Sequence, residues 1–209
     1  MKRLLVVTAL SCFALQGQNL DWSKAQGYVG GGFTIPQAGL GQRHDMGWGF
    51  LAGGGMRVSP KVSLNVEYSF NKLDYSRSTF TSGVPTATYK GGTELHGFTF
   101  NPRLHTPPLW KLGTYITGGY GIYWSKFQLA RPNTSPVACD SYWSSCTPGS
   151  VVPADSVLGA TSTWKGGWNA GLGIEGGGRV KFFADARYVY VFTTNIRTEI
   201  IPVTFGIHF

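Results

Sequence analysis

Residues 61–71 read Lys-Val-Ser-Leu-Asn-Val-Glu-Tyr-Ser-Phe-Asn. Val62, Leu64, Val66, Tyr68 and Phe70 occupy every second position, and Ser63, Asn65, Glu67, Ser69 and Asn71 fill the places between them. Successive side chains of an extended chain point to opposite faces, so the segment is a strand with one apolar and one polar side. An amphipathic helix would need apolar positions three and four apart, which this run does not supply.

The same alternation recurs on both sides of this stretch. Leu112–Lys126 sets Ile116, Tyr120, Ile122 and Trp124 against Tyr115, Thr117, Gly119, Gly121 and Tyr123. Trp164–Glu175 sets Trp164, Trp168, Ala170, Leu172 and Ile174 against Lys165, Asn169, Gly171, Gly173 and Glu175. Arg179–Phe192 sets Val180, Phe182, Ala184, Ala186, Tyr188 and Tyr190 against Lys181, Asp185 and Arg187. Thr198–Phe209 aligns Ile201, Val203, Phe205, Ile207 and Phe209 on one side. Weaker patterns over Gly27–Ile35, Trp48–Val58 and Gly92–Leu104, diluted by Gly and by His96, bring the strands to eight. Segments of about 9–11 residues suit tilted membrane strands, and single-chain bacterial barrels have an even strand number.

Connection lengths support this reading. Ser59-Pro60, His105–Lys111 and Gly176–Gly178 are short, while 36–47, 72–91 and 127–163 are long; the last, 193–197, is short. Short periplasmic turns alternating with longer external loops put both termini in the periplasm. The predicted fold is therefore an all-β, eight-stranded antiparallel up-and-down transmembrane barrel.

Composition agrees. Charged residues are 13% of the 209, aromatics 14%, and Gly numbers 30. Soluble domains carry about 25% charged residues, so lipid is the better solvent for this surface. The net charge of +8 includes Lys2 and Arg3, and the other cations are scattered, which excludes a nucleic-acid footprint. The modest excess reads first as solvated loop charge, with attraction to anionic headgroups near the surface as the alternative; outer-membrane lipid and lipopolysaccharide are the surroundings expected of such a barrel.

Met1-Lys2-Arg3 followed by Leu4–Leu10 and the small residues Ala14 and Gly17 reads as an export signal over 1–17, cleaved near 14–18, with the barrel domain over 18–209. Ala9-Leu10-Ser11-Cys12 is a poor lipobox, because Leu is misplaced. Cys139 and Cys146 lie in a Ser/Pro/Thr-rich stretch without His, so a disulfide in an oxidising compartment is expected rather than a metal site.

Aromatics fall at two heights. Trp48, Phe70, Trp124, Trp164 and Tyr190 stand at the external strand ends, with Phe182 and Phe209 at the opposite ends and Phe100 somewhat inside. Such girdles mark the two headgroup boundaries.

The terminal Ile-Ile-Pro-Val-Thr-Phe-Gly-Ile-His-Phe (200–209) resembles the C-terminal signal of outer-membrane barrels, with Ile201, Val203, Phe205, Ile207 and Phe209 as its alternating residues. With Phe182–Tyr190 it resembles the small outer-membrane β-barrel family of OmpA/OmpX-like and opacity-type proteins, over nearly all of the mature chain. The resemblance implies recognition by the barrel-assembly machinery and location in the bacterial outer membrane. It does not name a function.

The inward set contains Arg57, Glu67, Arg103, Glu175, Asp185 and Arg187, with Lys165 and Lys181 near the ends. Isolated charges there are costly, so the three carboxylates are expected to pair with the three arginines as one central network that closes the lumen. Inward glycines (Gly30, Gly32, Gly53, Gly55, Gly171, Gly173) leave room for the arginines or for a narrow water path.

Catalysis is not expected. Nucleophilic chemistry needs Ser and His within hydrogen-bond reach. His44 falls in an external loop, His105 in a turn and His208 at the inner end; His96, near Glu94, is the best candidate but lacks an evident Ser partner. No cofactor is called for. The expected role is structural or surface-interacting, through loop 127–163 with Tyr142 and Trp143; the alternative is a narrow channel.

Overall fold

The computed structural model describes residues 24–42, 44–75, 90–107, 112–140, 145–178, 180–193 and 197–209, with the backbone alone at 90, 129–140 and 145–159. The predicted signal segment lies outside the described residues.

Eight strands run in order: β1 (Ala25–Gln37), β2 (Gly47–Ser59), β3 (Val62–Asp74), β4 (Lys90–His105), β5 (Leu112–Asp140), β6 (Ser145–Gly177), β7 (Lys181–Val191) and β8 (Thr198–His208). Each pairs antiparallel with the next, and β1 pairs with β8, so the sheet closes into a barrel without free edges in its wall. Tyr28 faces His208 in that closing pair, and Gln37 faces Glu199. Pro102 and Pro202 lie in strand interiors, and the β4–β5 and β7–β8 ladders each skip the pairs around them, as expected of a residue without an N–H.

Burial is inverted relative to a water-soluble protein. On β3, Ser63, Asn65, Glu67 and Asn71 are buried while Leu64 and Val66 are exposed. Ile116, Leu172, Phe182 and Phe205 are exposed on other strands, and Asn101, Thr117, Asn169 and Thr204 are buried. The alternation of the sequence thus puts polar side chains in the lumen and apolar ones on the outer wall.

One expectation is corrected. The stretch 127–163, expected as a loop, is mostly strand. Beyond the last β4 partner, Lys90 opposite Ala130, β5 and β6 pair, among the described residues, only with each other up to Asp140 and Ser145. A two-stranded ribbon leaves one edge of each strand free, so prolines fit where their missing donor faces outward. Pro136 lies in the register shift between Ser135 and Val137.

The β1–β2 connection folds back over the mouth opposite Lys24 and Phe209. A single helical turn, α1 (Ala38–Gly41), carries Leu40 into the lumen. Leu40 joins Leu73, Leu95, Tyr123, Val189, Val191 and Ile200 in a buried apolar layer. His44, expected in an external loop, is buried beneath this turn, its Nε2 3.0 Å from Thr93 Oγ1.

Candidate functional site

The centre of the lumen is built around Glu67 on β3. Its inward position follows from the parity of the β3 pattern, and its carboxylate is met from three other strands. Tyr28 on β1 donates its hydroxyl to Oε1 at 2.5 Å. Asn101 on β4 donates to Oε2 at 2.5 Å, and Arg103 Nη2 on the same strand donates to Oε1 at 2.9 Å. Arg187 on β7 adds Nη1 to Oε2 and Nη2 to Oε1, the latter at 3.3 Å. A carboxylate with this many donors, two of them guanidinium groups, retains its charge without water.

The second carboxylate is Asp185, whose Oδ2 accepts from Arg187 Nη2 at 2.7 Å and from Tyr115 at 3.2 Å. Arg103 lies between two rings, with its guanidinium carbon 4.2 Å from the Tyr28 centroid and 4.9 Å from that of Tyr115. Both rings occupy glycine positions. A Cβ at Gly53 would stand 2.5 Å from Tyr28 Cζ, and one at Gly173 would overlap the Tyr115 ring. These inward glycines therefore make room for tyrosines, which in turn hold an arginine.

Two of the residues expected in this network lie elsewhere. Glu175 belongs to a second cluster near the mouth that holds Phe209, with Lys181 Nζ at 3.0 Å, His208 Nδ1 at 3.4 Å and His105 Nδ1 at 3.7 Å. Arg57 faces the lumen near the same end, and no ion pair joins it to a carboxylate among the described residues. Strand parity gives the face of a residue but not its height, and these two sit too far along the barrel axis to reach Glu67. His208 links the clusters. Arg103 can only donate, so its Nη1 gives to His208 Nε2 at 3.0 Å and the ring turns Nδ1 towards Glu175. Lys165 stays near the other end, opposite Tyr123 in register.

A Ser-His pair that sequence spacing did not reveal is also present. Ser63 Oγ lies 3.0 Å from His105 Nε2, and Glu175 is on the far side of the ring. The order matches a nucleophile, base and orienting acid. However, Ser63 is wholly buried, with Asn65 Nδ2 at 3.3 Å from its oxygen, and the His105–Glu175 separation exceeds a hydrogen bond. Only the register of β3 on β4, with Val62 opposite Leu104, brings these residues together.

His96 is a belt residue. Its ring packs 4.7 Å from Trp124 and 5.0 Å from Phe70, and its Nδ1 lies 2.7 Å from the Tyr68 hydroxyl. The outward band continues through Trp48 to Phe70 at 5.3 Å and Trp124 to Trp164 at 6.2 Å, with Tyr190 stacked on Trp168 at 5.9 Å. Phe182 and Phe209 are exposed at the other rim. Ile201, Val203, Phe205 and Ile207 share the outward side of β8, opposite in parity to the buried Ile200, Thr204 and His208. Cys139 and Cys146 are direct partners across the β5–β6 ribbon.

The family described as "Outer membrane protein beta-barrel domain" matches residues 5–209. Among solved structures, Neisserial surface protein A shares the fold with a TM-score of 0.51 at 12% identity, covering 88% of this chain and 95% of that one. A major outer membrane protein from Thermus thermophilus does so with a TM-score of 0.53 at 9% identity, covering 89% of this chain and 98% of the other. No curated protein matches.

Proposed function

The chain belongs to the outer membrane protein beta-barrel domain family, and from that footing we propose that it is a non-enzymatic barrel with a closed lumen, presenting its β5–β6 ribbon for surface contacts. The observation that carries this reading is the clamp on Glu67, filled from β1, β4 and β7, with the apolar layer of Leu73, Leu95, Val191 and Ile200 above it. An eight-stranded barrel is only wide enough for its own side chains, so a polar centre under an apolar cap leaves no continuous water path.

In this reading the termini face the periplasm, because the short β2–β3 turn lies at their end and the long ribbon at the other. Residues 1–17 direct export, and outer-membrane lipid with lipopolysaccharide surrounds the aromatic belts. The pairing of Cys139 with Cys146 supports a disulfide near the ribbon tip: directly opposed strand residues lie about 4.5–5.5 Å apart at Cα, within disulfide range. The barrel-assembly machinery is the partner expected for β8.

Planar-bilayer recording of the purified protein tests the closed lumen. No steady conductance is expected, and stable single-channel steps would replace this reading with that of a narrow channel.

A further inference from the structure

We propose that the barrel mouth beside Lys24 and Phe209 binds a phosphate ester, with Arg57 as the principal contact. The other inward arginines, and the lysine at this mouth, sort into pairs. Arg103 and Arg187 meet Glu67 and Asp185, and Lys181 meets Glu175 at 3.0 Å. Arg57 is the inward guanidinium left over: it is half-buried on β2, opposite Ser63 in register, and no carboxylate among the described residues pairs with it.

A guanidinium partly removed from water without a counter-charge is unfavourable until an anion arrives. Space for one is present. A recess of about 250 Å³ opens beside Arg57, lined also by Lys24, Gln26, Lys181 and His208. It is small for a polymer and sufficient for a compact anion. The planar fork of Arg matches two phosphate oxygens at once, and the Lys181 ammonium has donors beyond the one given to Glu175. His208 is already committed to Arg103 and Glu175, so it forms wall rather than contact.

The phosphate has two possible sources, a dissolved small ester or the headgroup of a phospholipid in the adjoining leaflet. Phe209, which lines the same recess, exposes 68% of its surface at the lipid rim, so a headgroup has a short route in. Neither the closed lumen nor the ribbon is needed for this site.

The test uses the full barrel in dodecyl maltoside, titrated calorimetrically with glycerol 3-phosphate, and in nanodiscs containing phosphatidylglycerol, scored by lipid retention in native mass spectrometry. Saturable binding of the ester is expected, weakened roughly tenfold or more by Arg57→Gln, as for loss of a charged hydrogen-bond donor, and a few-fold by Lys181→Gln. Arg57→Lys, which keeps the charge and loses the fork, serves if the Gln variant does not fold, and is expected to bind with intermediate affinity. Retention of phosphatidylglycerol that is lost with the Arg57 variant, without binding of the dissolved ester, identifies the headgroup as the source. If neither probe distinguishes wild type from an Arg57 variant with normal heat-dependent gel mobility, the site does not exist.

Discussion

Arg103 on β4 and Glu67 on β3 meet at 2.9 Å with side chains 0% and 1% exposed, so this ion pair is sealed from solvent on every side. Removing one partner leaves a buried charge uncompensated. Glu67→Ala strands Arg103 and leaves Arg187 with Asp185 alone, and the expected cost is about 3–5 kcal/mol. Urea unfolding of the refolded barrel measures it, and an unchanged midpoint would show that water enters the lumen freely.

Gly53→Ala tests the support behind that pair. The added methyl would displace the Tyr28 ring, which both donates to Glu67 and covers Arg103. Overpacking of this kind costs about 1–3 kcal/mol. The neighbouring Gly54→Ala has only Gln26 O near its Cβ, at 3.5 Å, and is the matched control, expected to be near neutral.

Val66, 63% exposed on the outer wall, decides which solvent that wall meets. Val66→Arg is expected to destabilise the barrel in lipid by about 2–4 kcal/mol if it sits near the bilayer midplane. The same change on a water-soluble barrel would be close to neutral, so equal stability would contradict a membrane-spanning wall.

Ser63, His105 and Glu175 stand in the order of a hydrolytic triad without access to it. Purified protein is expected to show no turnover of phospholipid or fluorogenic ester, and Ser63→Ala to change nothing but stability. Hydrolysis abolished by Ser63→Ala would overturn the non-enzymatic reading.

The ribbon cysteines give a covalent readout. The exported chain is expected to have no titratable thiol without reductant, and Cys146→Ser to expose one at Cys139. Two free thiols in the exported wild type would exclude the disulfide.

Much of the barrel was legible because strand parity is a local property. Ser63 to Asn71 declare their faces one after another, and the strand count follows. The ribbon was not legible, because Pro132, Pro136, Pro148 and Pro153 are loop signals in a full sheet but are tolerated where each strand has a free edge. In the lumen, the charged residues were identifiable but their grouping was not. Glu67 reaches Arg187 across the barrel because of the stagger between strands, which has no trace in the spacing of residues, whereas Glu175 meets Lys181 locally, six residues on across the β6–β7 turn. The Ser63–His105 contact was hidden for the same reason.

The seam between β1 and β8 has a consequence for biogenesis. Tyr28 and His208 come from the first and last strands of the barrel, yet they are neighbours in the wall. No partial chain can close, and every incomplete product carries two raw strand edges able to pair with other chains. Folding therefore cannot finish progressively during synthesis or transit: the polypeptide has to be kept unassembled until β8 is available, and the sheet then completed within lipid. Loss of that one strand would be expected to produce an aggregation-prone chain rather than a smaller barrel.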